Sequence, residues 1–105
     1  MSDTPLLPRI MLMSEFEPLV GQYFVANCDP EPVKIKLVDV KPLTPSGLDI
    51  RPPFIMIFHT PPNAYLVGGH YVMRCGQFGP EVIHIASMIA PPNAEPGYYY
   101  QSVFN

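Results

Sequence analysis

Proline constrains this chain more than any other residue. It occurs 15 times in 105 residues, about three times ordinary usage. Many prolines sit in turn-like clusters such as Asp29-Pro30-Glu31-Pro32, Arg51-Pro52-Pro53, Pro61-Pro62-Asn63-Ala64 and Pro91-Pro92-Asn93-Ala94. Each interior proline removes a helix hydrogen bond and crowds the preceding turn, which excludes a helical bundle. What remains between the clusters are short apolar runs rich in β-branched and aromatic residues. Runs of that kind bounded by Pro, Gly and Asn read as strands.

Six such runs are expected, over residues 22–28, 33–40, 54–60, 70–75, 81–90 and 98–104. In the second, Val33, Ile35 and Leu37 alternate with Lys34 and Lys36, the pattern of a half-buried strand. The third, Phe54-Ile-Met-Ile-Phe-His-Thr60, is apolar on both faces and is expected to be central and covered on two sides. In the fifth, Val82, His84, Ala86 and Met88 face one way and Ile83, Ile85, Ser87 and Ile89 the other. Residues 41–53 read as an exposed loop, and Gly76 to Pro80 as a turn. The expected fold is all-β: a small six-stranded, mainly antiparallel barrel or sandwich with one short N-terminal helical turn.

Residues 1–13 read as an N-terminal arm and 14–105 as a single β domain. The arm carries Leu6, Leu7, Ile10, Met11, Leu12 and Met13, too apolar for a solvated tail. Residues 14–19 read as the helical turn, with Ser14 and Glu17 spaced as a capping box. Phe16, Leu19 and Val20 are expected to enter the core. The two Pro-Pro-Asn-Ala segments each follow an apolar strand and read as one turn solution used twice.

Charge excludes several functions. Only 14% of residues are charged against 48% hydrophobic, and net charge is −3. A chain so apolar is not intrinsically disordered, and one without a basic patch is not a phosphate-neutralising nucleic-acid binder. No apolar run has the length needed to cross a bilayer. Met1 to Arg9 lacks the layout of a secretory leader, so the expectation is a cytoplasmic protein, with Cys28 and Cys75 as buried thiols.

Few residues suggest chemistry. His59, His70 and His84 fall on three expected strands and could meet at one zinc only if those strands adjoin; no His or Cys spacing supports a metal. There is no nucleophile elbow, and Gly68-Gly69 opens a strand instead of a helix, so it does not cradle phosphate. No catalytic residue and no cofactor is assigned. The alternative is a small-molecule-binding barrel or an unrecognised enzyme using the strand histidines, with His59, His70, His84 and Arg74 as the pocket candidates, should the barrel hold one. Strands apolar on both faces require cover, by the arm or by another protein. Ile10 to Met13, Leu6, Leu7 and the run Tyr98-Tyr99-Tyr100 are therefore the candidate interface of a non-catalytic protein-binding barrel, a homo-oligomer or part of a larger assembly.

Several motifs resemble one family. Phe16-Glu-Pro-Leu-Val-Gly-Gln-Tyr-Phe24, Arg51-Pro-Pro-Phe54, Gly69-His-Tyr71 and Tyr99-Tyr-Gln-Ser-Val-Phe-Asn105 are similar to a group of small bacterial proteins known as a domain of unknown function. Gln101-Ser102 stands where Glu-Ala is usual there. The resemblance implies a short β protein, in some cases an accessory of tail-fibre-like assemblies, and supplies no catalytic residues. On its own terms, Arg51 is expected to pair with the Asn105 carboxylate or with an acid in a turn.

Overall fold

A computed structural model describes residues 9–105. The elements are a one-turn helix α1 (Met13–Phe16), a 3-10 turn (Glu17–Leu19), and strands β1 (Tyr23–Ala26), β2 (Val33–Pro42), β3 (Phe54–Thr60), β4 (Gly69–Cys75), β5 (Phe78–Met88) and β6 (Tyr98–Phe104). All pairings are antiparallel, and the strands close into a barrel in the order β1-β2-β3-β6-β5-β4. The all-β expectation holds, and barrel rather than sandwich is the form taken.

The barrel is solid. Phe24, Ile35, Leu37, Met56, Phe58, Met73, Ile83, Ile85 and Tyr100 are fully buried inside it, as period-two alternation dictates. Burying each such side chain contributes about 1.5–3 kcal/mol. One end is stoppered by Phe16 on α1. Its ring lies 5.8 Å from Phe54, 5.0 Å from Phe78 and 5.8 Å from Phe104, while Phe54 and Phe104 stack at 4.6 Å. Leu66, in the β3–β4 connection, closes the other end. Its backbone N–H donates to the Tyr100 hydroxyl at 2.9 Å, and the same hydroxyl meets Thr60 Oγ1 at 3.0 Å.

Two bulges set the faces. On β2 the register slips at Val38, so Leu37 and Val40 both turn inward. On β5, Gly79 and Pro80 together face Arg74. Gly79 has φ 89°, and a Cβ there would lie 2.5 Å from the Met73 carbonyl oxygen, so glycine is required. The expected turn over 76–80 is thus only Gly76-Gln77, with positive φ at its first position. That suits a two-residue hairpin, and the strand resumes at Phe78.

β5 and β6 pair only over Ala86–Met88 and Tyr99–Gln101. Beyond that they part, and residues 9–12 cross the opening. Arg9 Nε donates to Glu81 on β5 at 2.6 Å, and its other nitrogens reach Glu15. Met11 is buried, and its carbonyl accepts from Arg51 at 2.9 Å. Arg51 in turn lies over the Phe104 ring. It therefore binds the arm, not the Asn105 carboxylate or a turn acid, because Met11 brings a carbonyl into its reach.

Two local expectations are corrected as well. The helix opens two residues early: Glu15, not Glu17, reaches back, accepting the Leu12 N–H at 2.8 Å. Val20 is 43% exposed, because the 3-10 turn ends at Leu19 and rotates it outward. The outer face of β3 is sealed by the chain itself. Ile57 and His59 are buried there, and the Tyr99 ring lies 4.8 Å from the His59 ring.

Candidate binding surface at the turn-rich end of the barrel

Three connections meet at the end closed by Leu66: residues 27–32, 61–68 and 89–97. Seven of the 15 prolines lie in them. Both Pro-Pro-Asn-Ala segments form a turn in which the alanine N–H donates to the first proline's carbonyl, at 3.0 Å in one and 3.2 Å in the other. The solution is shared but not identical. Asn93 has φ 59°, and Asn63 does not enter the positive region; a proline at the second turn position permits either form. Gly97 (φ 136°) lies so close to β3 that a Cβ would overlap the Thr60 carbonyl oxygen. That approach lets the Pro96 carbonyl bond His59 Nε2 at 2.9 Å.

These stiff loops display apolar side chains. Tyr65, Val67, Ile89 and Tyr98 are all exposed, Ile89 to 91%. Tyr65 and Tyr98 meet edge to face at 4.9 Å, which fixes both rings. Beside them runs an open groove of about 780 Å³, lined by Tyr23, Lys34, Lys36, His59, Asn63, Tyr65 and Glu95, among others. A second hollow, of about 580 Å³, shares Tyr65 and adds Cys28, Asp29, Val67 and Tyr71.

Two groups of the second hollow are held toward their neutral forms. Burial pushes the Cys28 thiol above its ordinary pKa, and Asp29 adds to the effect. Burial raises the Tyr71 phenol as well, followed by Cys28, Tyr100 and Tyr65. A raised thiol is a weak nucleophile at neutral pH. Cys75 is raised by burial too. Both cysteines are free, and they lie at opposite ends of the β1–β4 pairing.

The residues singled out from sequence separate into groups. Of the pocket candidates, His59 alone lines the larger groove. His70 and His84 stand directly opposite each other on the outer wall of β4 and β5, and Arg74 is exposed further along β4. The three histidines do not converge, and no cluster of three or more metal-binding side chains occurs among the described residues. Of the interface candidates, Leu6 and Leu7 lie outside the described residues. Ile10 and Leu12 are exposed, Met13 is half-buried and packs on the core, and Tyr98 is exposed. Met11, Tyr99 and Tyr100 are buried, so they serve the barrel's own packing and offer no contact surface. Tyr65, Val67 and Ile89 were missed because they fall in connections. The repeated proline turns flanking them were the available signal.

The fold and surface define a class: a closed, six-stranded antiparallel barrel with a packed interior, plugged at both ends, that carries exposed apolar side chains on its proline-rich connections. Residues 11–104 match a family model described as Domain of unknown function (DUF6916), and the chain belongs to that family. No curated protein and no solved structure matches it. No helix among the described residues is long and apolar enough to cross a membrane.

Proposed function

We propose that this barrel is a non-catalytic binding module that works through protein–protein contacts made by its turn-rich end. It acts in the cytoplasm, as a homo-oligomer or as an accessory component of a larger assembly of the tail-fibre kind. The observation that carries this reading is the pairing of exposed Tyr65, Tyr98, Val67 and Ile89 with proline-fixed loops. Prolines reduce the conformational entropy lost on association. Tyrosine supplies contact area at low entropic cost. The filled interior, built from phenylalanine and aliphatic side chains, favours a surface role over an internal ligand cavity.

Light scattering across a concentration series is the test. The expected result is a mass rising above 11.7 kDa with concentration, and lowered again by Ile89→Glu or Tyr65→Ser. A constant monomer mass, together with capture of the same partners from a native-host extract by wild type and by both variants, refutes the reading.

The second reading is a small-molecule site in the external groove, favoured by the lysines, His59 and Asn63 that share it with two tyrosines. Loss of ligand binding in Lys36→Ala, with oligomer mass unchanged, would select it.

A further inference from the structure

We propose that His70 and His84 form a two-imidazole site for a borderline divalent transition ion on the outer wall of the barrel. The two residues are register partners on β4 and β5. Both are exposed, and their ring centroids lie 4.8 Å apart at 57°. Two imidazoles bound through nitrogen at about 2.0–2.1 Å to one ion, at a cis or tetrahedral angle, hold ring centres on the order of 5 Å apart. The observed spacing therefore already suits chelation, without movement of either strand.

The site rests on rigid elements. His70 is followed by Tyr71, whose hydroxyl donates to the Val67 carbonyl at 2.6 Å. His84 lies between Ile83 and Ile85, both buried. The next register pair on this face is Val72 with Val82, which leaves no adjacent carboxylate. The chemistry is therefore two neutral nitrogen donors with the remaining positions held by water. On binding, the ion exchanges two of its waters for the two imidazole nitrogens, with no change of oxidation state. Such a donor set selects Cu²⁺ over Zn²⁺ and discriminates against Mg²⁺ and Ca²⁺. The site lies on the outer wall of the barrel beside the 61–68 connection, and its ion binding does not rest on the contact function proposed for the turn-rich end.

Calorimetric titration of the untagged chain with ZnCl₂, and electron paramagnetic resonance with one equivalent of CuCl₂, test the proposal. The expected result is one ion per chain, with a two-nitrogen copper spectrum. His70→Gln and His84→Gln should each weaken binding by roughly 10²-fold, the order expected when a second, tethered contact is lost. Both residues are exposed, so the variants should keep the wild-type melting temperature without metal, while the metal-induced rise in that temperature disappears. Absence of saturable binding, single variants that bind as wild type, or binding that survives the double variant would each overturn the site.

Discussion

Tyr100→Phe isolates the contact that holds the turn-rich end in place. The hydroxyl is buried at the end of the barrel, accepting from Leu66 N at 2.9 Å and meeting Thr60 Oγ1 at 3.0 Å. Since the Leu66 amide must donate, the phenolic hydrogen is free to point at the threonine. Removing the oxygen leaves the Leu66 N–H buried without an acceptor, at a cost of about 1–3 kcal/mol. The threonine hydroxyl can rotate, so its loss adds less. The total is about 2–3 kcal/mol, which in a domain of this size lowers the melting temperature by roughly 8–20 °C. Thermal unfolding followed by circular dichroism measures the total. Hydrogen exchange at the Leu66 amide measures the local part, since the 61–68 loop should open before the barrel does. Tyr99→Phe is the internal comparison. It removes only a 3.3 Å bond to the Glu95 carbonyl at a less buried position and should cost about 0.5 kcal/mol or less. Equal effects from the two substitutions, or an unchanged Leu66 exchange rate in Tyr100→Phe, would refute the pinning role.

Other perturbations have outcomes of different kinds. Phe16→Ala unstoppers the opposite end, where one ring meets three others; a loss of about 3–5 kcal/mol in urea unfolding is expected. Gly97→Ala must move backbone, because the new Cβ overlaps the Thr60 carbonyl and φ is 136°. It should destabilise by about 2 kcal/mol or more and, in an NMR spectrum, shift the His59 ring signals. Arg9 holds Glu15 below the ordinary carboxylate pKa. The pair's stabilisation is therefore complete above about pH 4.5 and lost as pH falls through the lowered folded value. Both side chains remain partly in solvent, so the amount is roughly under 1 kcal/mol. Arm signals in an NMR titration should move there in wild type and not in Glu15→Gln.

The residue order by itself determined the class of fold. Prolines left room for no more than a short helical turn, and period-two alternation named the inward face of β2 and separated the buried and exposed faces of β5 over Val82–Ile85. Both are local properties, legible one strand at a time. The bulges at Val38 and at Gly79–Pro80 were not legible, because an extra residue is only extra relative to the partner strand. Nor was the use of the arm: Met11 became core only because β5 and β6 part and leave an opening beside Arg51. The site divided in the same way. Sequence supplied the histidines and tyrosines, while the register of the β4–β5 hairpin set His70 against His84, and the assembled barrel buried Tyr99 and Tyr100 and left Tyr65 and Ile89 in solvent. Which side chains meet across a barrel depends on register and closure, and both are fixed by contacts between residues far apart in the chain.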